Sequence, residues 1–251
     1  MTKPRDIYYH QSMRTILITN DDGIASEGLH RLVEAAKPFG DILVVAPDSQ
    51  RSAASHSITL TRPVEIRPYD FPVPGVRAFQ CDGTPADCVR IAVRNILGEK
   101  PDVVFSGINY GYNVAMDLQY SATAGAAFEA SALGLRAVAF SEGAKPCHEV
   151  ADAYLTRMIE ELIDKDPPKG SIWNVNFPYC PLSDCAGILY DRTVSTLSFF
   201  NDTYDEEERL PDGGMRLTVR GNFGGTAEDG SDLRAVHERF VSVGTVSNIG
   251  M

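Results

Sequence analysis

Ile16-Leu17-Ile18-Thr19-Asn20-Asp21-Asp22-Gly23 decides the fold. A short apolar run ends in two adjacent carboxylates and a glycine. Apolar runs of this length, bounded by turn residues, read as fully buried strands of a parallel sheet. In such sheets ligands bind beyond the carboxyl ends of the strands, which is where Asp21 and Asp22 fall. Neighbours in a continuing strand point to opposite faces. For both carboxylates to serve one site the chain must turn here, and Gly23 makes the turn cheap because it tolerates positive φ. Two acids with no basic neighbour repel unless a cation lies between them, and hard divalent ions such as Mg²⁺ take carboxylate oxygens. The bland alternative is a solvated Asp-Gly turn.

Outward from this stretch the pattern continues. Leu29, Leu32, Val33 and Ala36 share one helical face, with Ser26 as the N-cap. Pro38 and Gly40 end that helix, and Asp41 to Ala46 reads as a second buried strand. A strand–helix–strand unit with short connections opens a doubly wound sheet. The loop that follows, Pro47 to Ser57, lies at the same carboxyl edge. Arg51 there is a counter-charge for a phosphate, and Ser52 or Ser55 offers a hydroxyl oxygen to a metal or ligand, set against the bland reading of a Ser-rich surface loop. Residues 58–81, Pro-rich and β-branched, read as a β excursion. Thr84-Pro85-Ala86-Asp87 then starts a helix with a capping residue and a first-turn proline.

The second informative segment is Ser106-Gly107-Ile108-Asn109-Tyr110-Gly111-Tyr112-Asn113, followed by Tyr120-Ser121-Ala122-Thr123. Asn109 lies just past a strand end, and its carbonyl oxygen is a hard ligand. Ser121 and Thr123 open a helix of small residues, and a helix N-terminus is a ready anion site. The structural alternative is that the small residues simply pack and Ser121 merely caps. Further strands are expected at 137–140 and 172–177, with a helix at 150–163. Beyond Pro178 the segments 188–190, 194–197 and 215–219 alternate like hairpin strands, with the acidic run 202–208 as a solvated tip. A β arm of this kind is hard to bury in a monomer and is expected to dock on another subunit.

Composition narrows the function. At 251 residues the chain supports one large domain, and its net charge of −11 gives no general footprint for a nucleic-acid duplex or an anionic membrane. The five cysteines are odd in number and form no Cys-x-x-Cys pair, which argues against a disulfide framework or a zinc cluster and suits a reducing cytoplasm. No apolar run approaches the roughly 20 residues of a membrane span. Residues 1–13 are patternless and read as a disordered or added N-terminus. The expected division is a core over 14–180 and a C-terminal β arm and tail for oligomerisation over 181–251.

Five separated segments in register carry a resemblance: Asn20-Asp21-Asp22-Gly23; Ala46-Pro47-Asp48 with Arg51-Ser52; Gly83-Thr84-Pro85-Ala86-Asp87-Cys88-Val89; Ser106-Gly107-Ile108-Asn109 with Gly111 and Asn113; and Tyr120-Ser121 with Thr123 and Glu129. Together they resemble the SurE family of metal-dependent nucleotidases. The resemblance implies a Rossmann-like, doubly wound, mostly parallel α/β sheet with a C-terminal β-hairpin arm exchanged between subunits of a homodimer or homotetramer. It implies one divalent ion per subunit, Mg²⁺ or Mn²⁺, held by Asp21, Asp22, Ser52 and Asn109, and phosphate handled by Asn113, Ser121 and Thr123. The implied reaction is hydrolysis of nucleoside monophosphates by a 5′/3′-nucleotidase, with short polyphosphate as a further substrate class. In that reaction one of Asp21 or Asp22 is expected to position the attacking water or accept its proton, and Asn113, Ser121 and Thr123 to stabilise the transferring phosphoryl group. The chain departs from the family pattern at Ala115 and Ala122, where glycine is usual. The rival reading is a non-catalytic nucleotide-binding stress or sensor module on the same fold.

Overall fold

A computed structural model describes residues 14–248; the expectation for residues 1–13 falls outside the described residues. The chain opens with β1 (Thr15–Thr19), α1 (Glu27–Ala36) and β2 (Asp41–Pro47). The excursion holds β3 (Ile66–Tyr69) and β4 (Arg77–Cys81) and leads to α2 (Pro85–Ile91). Next come β5 (Val103–Tyr110), α3 (Ala122–Ala132), β6 (Ala137–Glu142), α4 (Glu149–Leu162) and β7 (Ser171–Phe177). The C-terminal part contributes β8 (Gly187–Leu189), β9 (Phe200–Arg209), β10 (Met215–Phe223), α5 (Asp232–His237) and β11 (Phe240–Ser247).

Nine strands form one sheet in the order β3-β4-β2-β1-β5-β6-β7-β11-β8. The strands β4, β2, β1, β5, β6 and β7 run parallel, while β3 and β11 join antiparallel. This is the mixed, mostly parallel, Rossmann-like α/β sheet the first stretch implies. Ile16 and Ile18 enter the core on the α1–α4 face, and Leu17 enters the core on the α2–α3 face. A strand buried on both faces is why the sequence reads as a run rather than as alternation. All three side chains are fully buried, each contributing roughly 1.5–3 kcal/mol. Ser26 caps α1, and Thr84 with Asp87 forms the reciprocal capping box of α2. The strand order reverses between β1 and β5, so a crevice opens above their carboxyl ends.

The tail departs from its expected form in three places. The sheet does not stop at residue 180, because β11 pairs with β7 and β8 pairs with β11. The cause is apolar: Val241 and Val243 are fully buried, and a strand this apolar is stable only inside the sheet. Residues 194–197 are not a strand. The acidic run 202–208 is not the hairpin tip but most of β9, which pairs with β10 in a separate two-stranded hairpin. Cross-strand cations make that acceptable: Arg216 pairs with Glu208, and Arg220 with Asp205. Within the excursion, residues 58–60 form no strand.

Candidate metal and phosphate site

Asn20 sets the first turn. Its Nδ2 donates to the Gly23 carbonyl at 3.0 Å and to Ser26 Oγ at 2.7 Å, so one amide ties the end of β1 to the start of α1. Gly23 has φ +99°, as the turn demands. Gly28 lets α1 lie against β5, since a Cβ there would meet the Ile108 carbonyl oxygen at 2.1 Å. A register shift interrupts the pairing of β5 with β6 after Ser106, and the ladder resumes at Asn109 beside Ser141 and Tyr110 beside Glu142.

Asp21 is 3% exposed and accepts a hydrogen bond from the Thr123 hydroxyl. Burial raises its pKa from 3.8 to about 7, the Asp22 charge adds to the rise, and the Thr123 hydrogen bond opposes it. Burial likewise raises the Asp22 pKa. There the Tyr110 N–H, 3.0 Å from Oδ2, and the more distant Gln50 amide hold it down, while the Glu142 charge pushes it up. Among the described residues no basic side chain forms an ion pair with either carboxylate. Gln50 Nε2 also donates to Ser52 Oγ at 2.9 Å, which brings the Ser52 loop onto Asp22. The Arg51 N–H donates to the Asp21 carbonyl at 2.7 Å. Asn109 donates its Nδ2 to the Gly111 carbonyl at 2.7 Å, a bond that does not use its amide oxygen.

Two hydrogen-bonded groups, Thr123 with Asp21 and Gln50 with Asp22 and Ser52, meet at the strand reversal through the Asp21–Asp22 peptide and the Arg51 N–H on the Asp21 carbonyl, with Asn109 one residue from Tyr110. Among the described residues no group of three His, Cys, Asp or Glu side chains is placed to hold a metal. The set at this site is instead two carboxylates, a hydroxyl and an amide oxygen, an all-oxygen donor set that suits Mg²⁺ or Mn²⁺ and not a zinc cluster.

The other expected residues lie differently. Ser121 caps α3, accepting from the Ala124 N–H at 3.0 Å. Asn113 is drawn into a buried amide cluster. Its Nδ2 donates to Ser141 Oγ at 2.8 Å, its N–H to Asn176 Oδ1 at 2.8 Å, and its carbonyl accepts from Asn174 and Asn176. Arg51 does not extend as an uncommitted counter-charge: its Nη2 is held at 3.0 Å by Asp48 Oδ1 and at 3.0 Å by the Asp82 carbonyl, which turns it into a strut between two loops. Ala115, where the family pattern has glycine, has φ +58° and is fully buried.

Sequence reasoning missed Gln50, Tyr110, Arg31 and Glu142. Glu142 carried the same signal as Asp21 and Asp22, a carboxylate ending an apolar strand. A crevice of about 440 Å³ beside Asp22 is lined by Ser26, Arg31, Gln50, Tyr110, Glu142 and His148 among others. A larger cavity of about 730 Å³ sits at the hairpin root between Tyr112, Tyr179, Phe199 and Phe223 and is lined by none of the expected site residues.

The family model described as Survival protein SurE matches residues 16–198. The chain is 39% identical over 237 residues to the 5′-nucleotidase SurE 1 of Thermus thermophilus, covering 92% of this chain and 91% of that protein. It is 33% identical over 232 residues to the 5′-nucleotidase SurE of Clostridium botulinum, covering 91% and 90%. The crystal structure of the SurE protein from Aquifex aeolicus superposes with a TM-score of 0.78 at 34% identity, covering 93% of each chain. Sequence likeness that spans nearly the whole chain and a shared backbone lead to one conclusion: this chain belongs to the SurE family.

Proposed function

We propose that this chain is a divalent-metal-dependent phosphomonoesterase that hydrolyses nucleoside monophosphates to nucleoside and phosphate. Its similarity to proteins named 5′-nucleotidase supports the substrate class. The observation that carries the reading is Asp21: a buried carboxylate, beside a second carboxylate, at the strand reversal, with no basic partner among the described residues. Such a pair is stable as an anion only with a cation supplied from outside the chain.

Asp21, Asp22, Ser52 and Asn109 would hold the ion. When bound, a divalent ion supplies Lewis-acid stabilisation of phosphoryl charge and lowers the pKa of the attacking water. One of the two carboxylates accepts that water's proton. The N–H groups opening α3, that of Thr123 among them, would meet the anionic oxygens together with the Ser121 hydroxyl, while the Thr123 hydroxyl holds Asp21 and Asn113 fixes the loop between β5 and α3. Arg51 acts by bracing the Ser52 loop.

The test is phosphate release from a panel of nucleoside monophosphates with Mn²⁺ or Mg²⁺, then with excess EDTA. Metal-dependent release that EDTA stops supports the reading. Nucleotide binding with no release from any member overturns it in favour of the sensor module.

The hairpin supports a homo-oligomer. Val219 faces Tyr204 in register, and Leu217 and Phe223 share their side of the ribbon; all four are exposed, and among the described residues none forms a second layer on that face. We assign that face to a second copy of the chain, by docking or by exchange of the hairpin. Sedimentation of the wild type against the double substitution Leu217→Lys, Val219→Lys tests it; an unchanged mass overturns it. No helix among the described residues is long and apolar enough to cross a membrane. The five free cysteines, two of them fully buried, favour the reducing cytoplasm.

A further inference from the structure

Glu142 ends β6 at 4% exposure, and only one of its carboxylate oxygens is used. Oε1 accepts from Arg31 Nη1 at 2.7 Å and lies 2.9 Å from His148 Nδ1, while the buried Oε2 has no partner. A buried carboxylate oxygen left unpaired is costly and rare, and because Glu142 lines the crevice beside Asp22, a ligand in that crevice is the nearest source of the missing donor. Glu142 lies in register beside Tyr110 of the parallel neighbour β5, so their side chains share a face. Tyr110 in turn gives its N–H to Asp22. The crevice therefore runs from the Asp22 carboxylate, past a half-exposed tyrosine ring, to Glu142. Its volume of about 440 Å³ suits a small polar group with a ring attached.

The donor that fits is neutral. Arg31, itself fixed by Asp152 at 2.6 Å, already balances the Glu142 charge. What remains is an acceptor with its charge compensated, which suits a hydroxyl better than a second cation. In a nucleoside monophosphate whose phosphate lies at Asp21 and Asp22, the hydroxyls nearest the phosphate are those of the sugar. We propose that Glu142 is a specificity-determining residue whose free oxygen accepts a hydrogen bond from a ribose hydroxyl of the substrate, with Arg31 and His148 holding its carboxylate in place. This rests on the phosphomonoesterase reading above and deepens it by assigning the sugar subsite.

The experiment compares AMP with 2′,3′-dideoxy-AMP in the Mn²⁺-loaded full-length protein, with p-nitrophenyl phosphate as the sugarless reference. A hydrogen bond to a charged acceptor predicts that kcat/KM for AMP exceeds that for the dideoxy nucleotide by about tenfold or more, mostly through KM. In Glu142→Leu, with each rate referred to that variant's own turnover of p-nitrophenyl phosphate, the ratio falls toward one. Equal kcat/KM for the two nucleotides in the wild type overturns the proposal without needing the variant to fold. An undiminished ratio in a folded variant overturns it as well. Nucleotide hydrolysis without sugar discrimination removes the sugar subsite alone, whereas no metal-dependent hydrolysis of any phosphoester removes the phosphomonoesterase reading and this one with it.

Discussion

The Thr123 hydroxyl donates to Asp21 Oδ1 and so joins the first turn of α3 to the end of β1. Both side chains are buried, and the bond is made to the group whose ionisation is costliest in the site. Thr123→Val keeps the shape and removes the donor. The loss of one hydrogen bond to a charged acceptor, about 1.5–3 kcal/mol, predicts Mn²⁺ affinity weakened about tenfold or more by titration calorimetry. Thr123→Ser should restore most of it. Unchanged affinity in Thr123→Val would sink the assignment of Asp21 as a ligand.

The Asp21 carboxyl titrates in the metal-free fold at about pH 7, well above its ordinary 3.8. The sign follows from linkage. The protonated form is the one the fold favours, so its contribution is complete below about pH 4 and is lost as pH rises through 7. The loss amounts to roughly 4 kcal/mol at high pH without metal. Asp21→Asn should abolish metal-dependent phosphate release. Without metal its melting temperature should match or exceed that of the wild type at pH 8. In the wild type, Mn²⁺ should raise the melting temperature more at pH 8 than at pH 5.5, and scanning calorimetry at both values checks this.

Gly125 is where α3 meets the Ser52 loop. A Cβ there would lie 2.3 Å from the Ser55 carbonyl oxygen, and Ser55 is itself anchored by its N–H to the Tyr120 carbonyl at 3.0 Å. The loop cannot yield without moving Ser52. Gly125→Ala should destabilise the protein by about 1–3 kcal/mol. It should also lower metal-saturated kcat and weaken Mn²⁺ binding, because the displaced loop carries Ser52, one of the proposed ligands. Chemical denaturation and metal titration of the same preparation separate the two effects.

Glu228 ties the two ends of the hairpin insertion together. Oε1 accepts from the Thr196 N–H at 3.0 Å and its hydroxyl at 2.7 Å, and Oε2 accepts from the Ser195 hydroxyl. These bonds, that from Ser195 first, lower its pKa from 4.5 to about 2. The contribution is therefore complete above pH 4.5 and is lost as pH falls toward 2. Protection factors of the amides at residues 195–197, each referred to the intrinsic exchange rate at the same pH, should fall over that window in the wild type, and should be lower and flat with pH in Glu228→Gln.

Much of this was readable from residue order alone. The run Ile16 to Ile18 is apolar on both faces, and only a sheet covered on both sides accepts such a strand, so the parallel sheet and the position of Asp21 followed together. Ser26 and Thr84 marked their helices because their hydroxyls cap locally. What stayed hidden depends on partners remote in sequence. The run 202–208 looked like a solvated tip because its neutralising arginines sit on the opposite strand. Arg51 looked like a phosphate ligand because nothing local reveals that Asp48 and the Asp82 carbonyl both claim it. Glu142 shows its place at a strand end in the sequence, but not its pairing with Arg31, which lies more than a hundred residues earlier.

The hairpin leaves and re-enters the body of the protein at one doorway, where Thr193 bridges Ser231 and the Gly224 N–H meets the Phe199 carbonyl. Between those points the chain adds no strand to the nine-stranded sheet, and β11 closes that sheet after the hairpin is complete. The ribbon is thus a cassette: it can grow, shrink or change its charge over evolutionary time while the crevice chemistry stays constant. Selection acting on the ribbon is free to proceed independently of selection acting on what the crevice accepts.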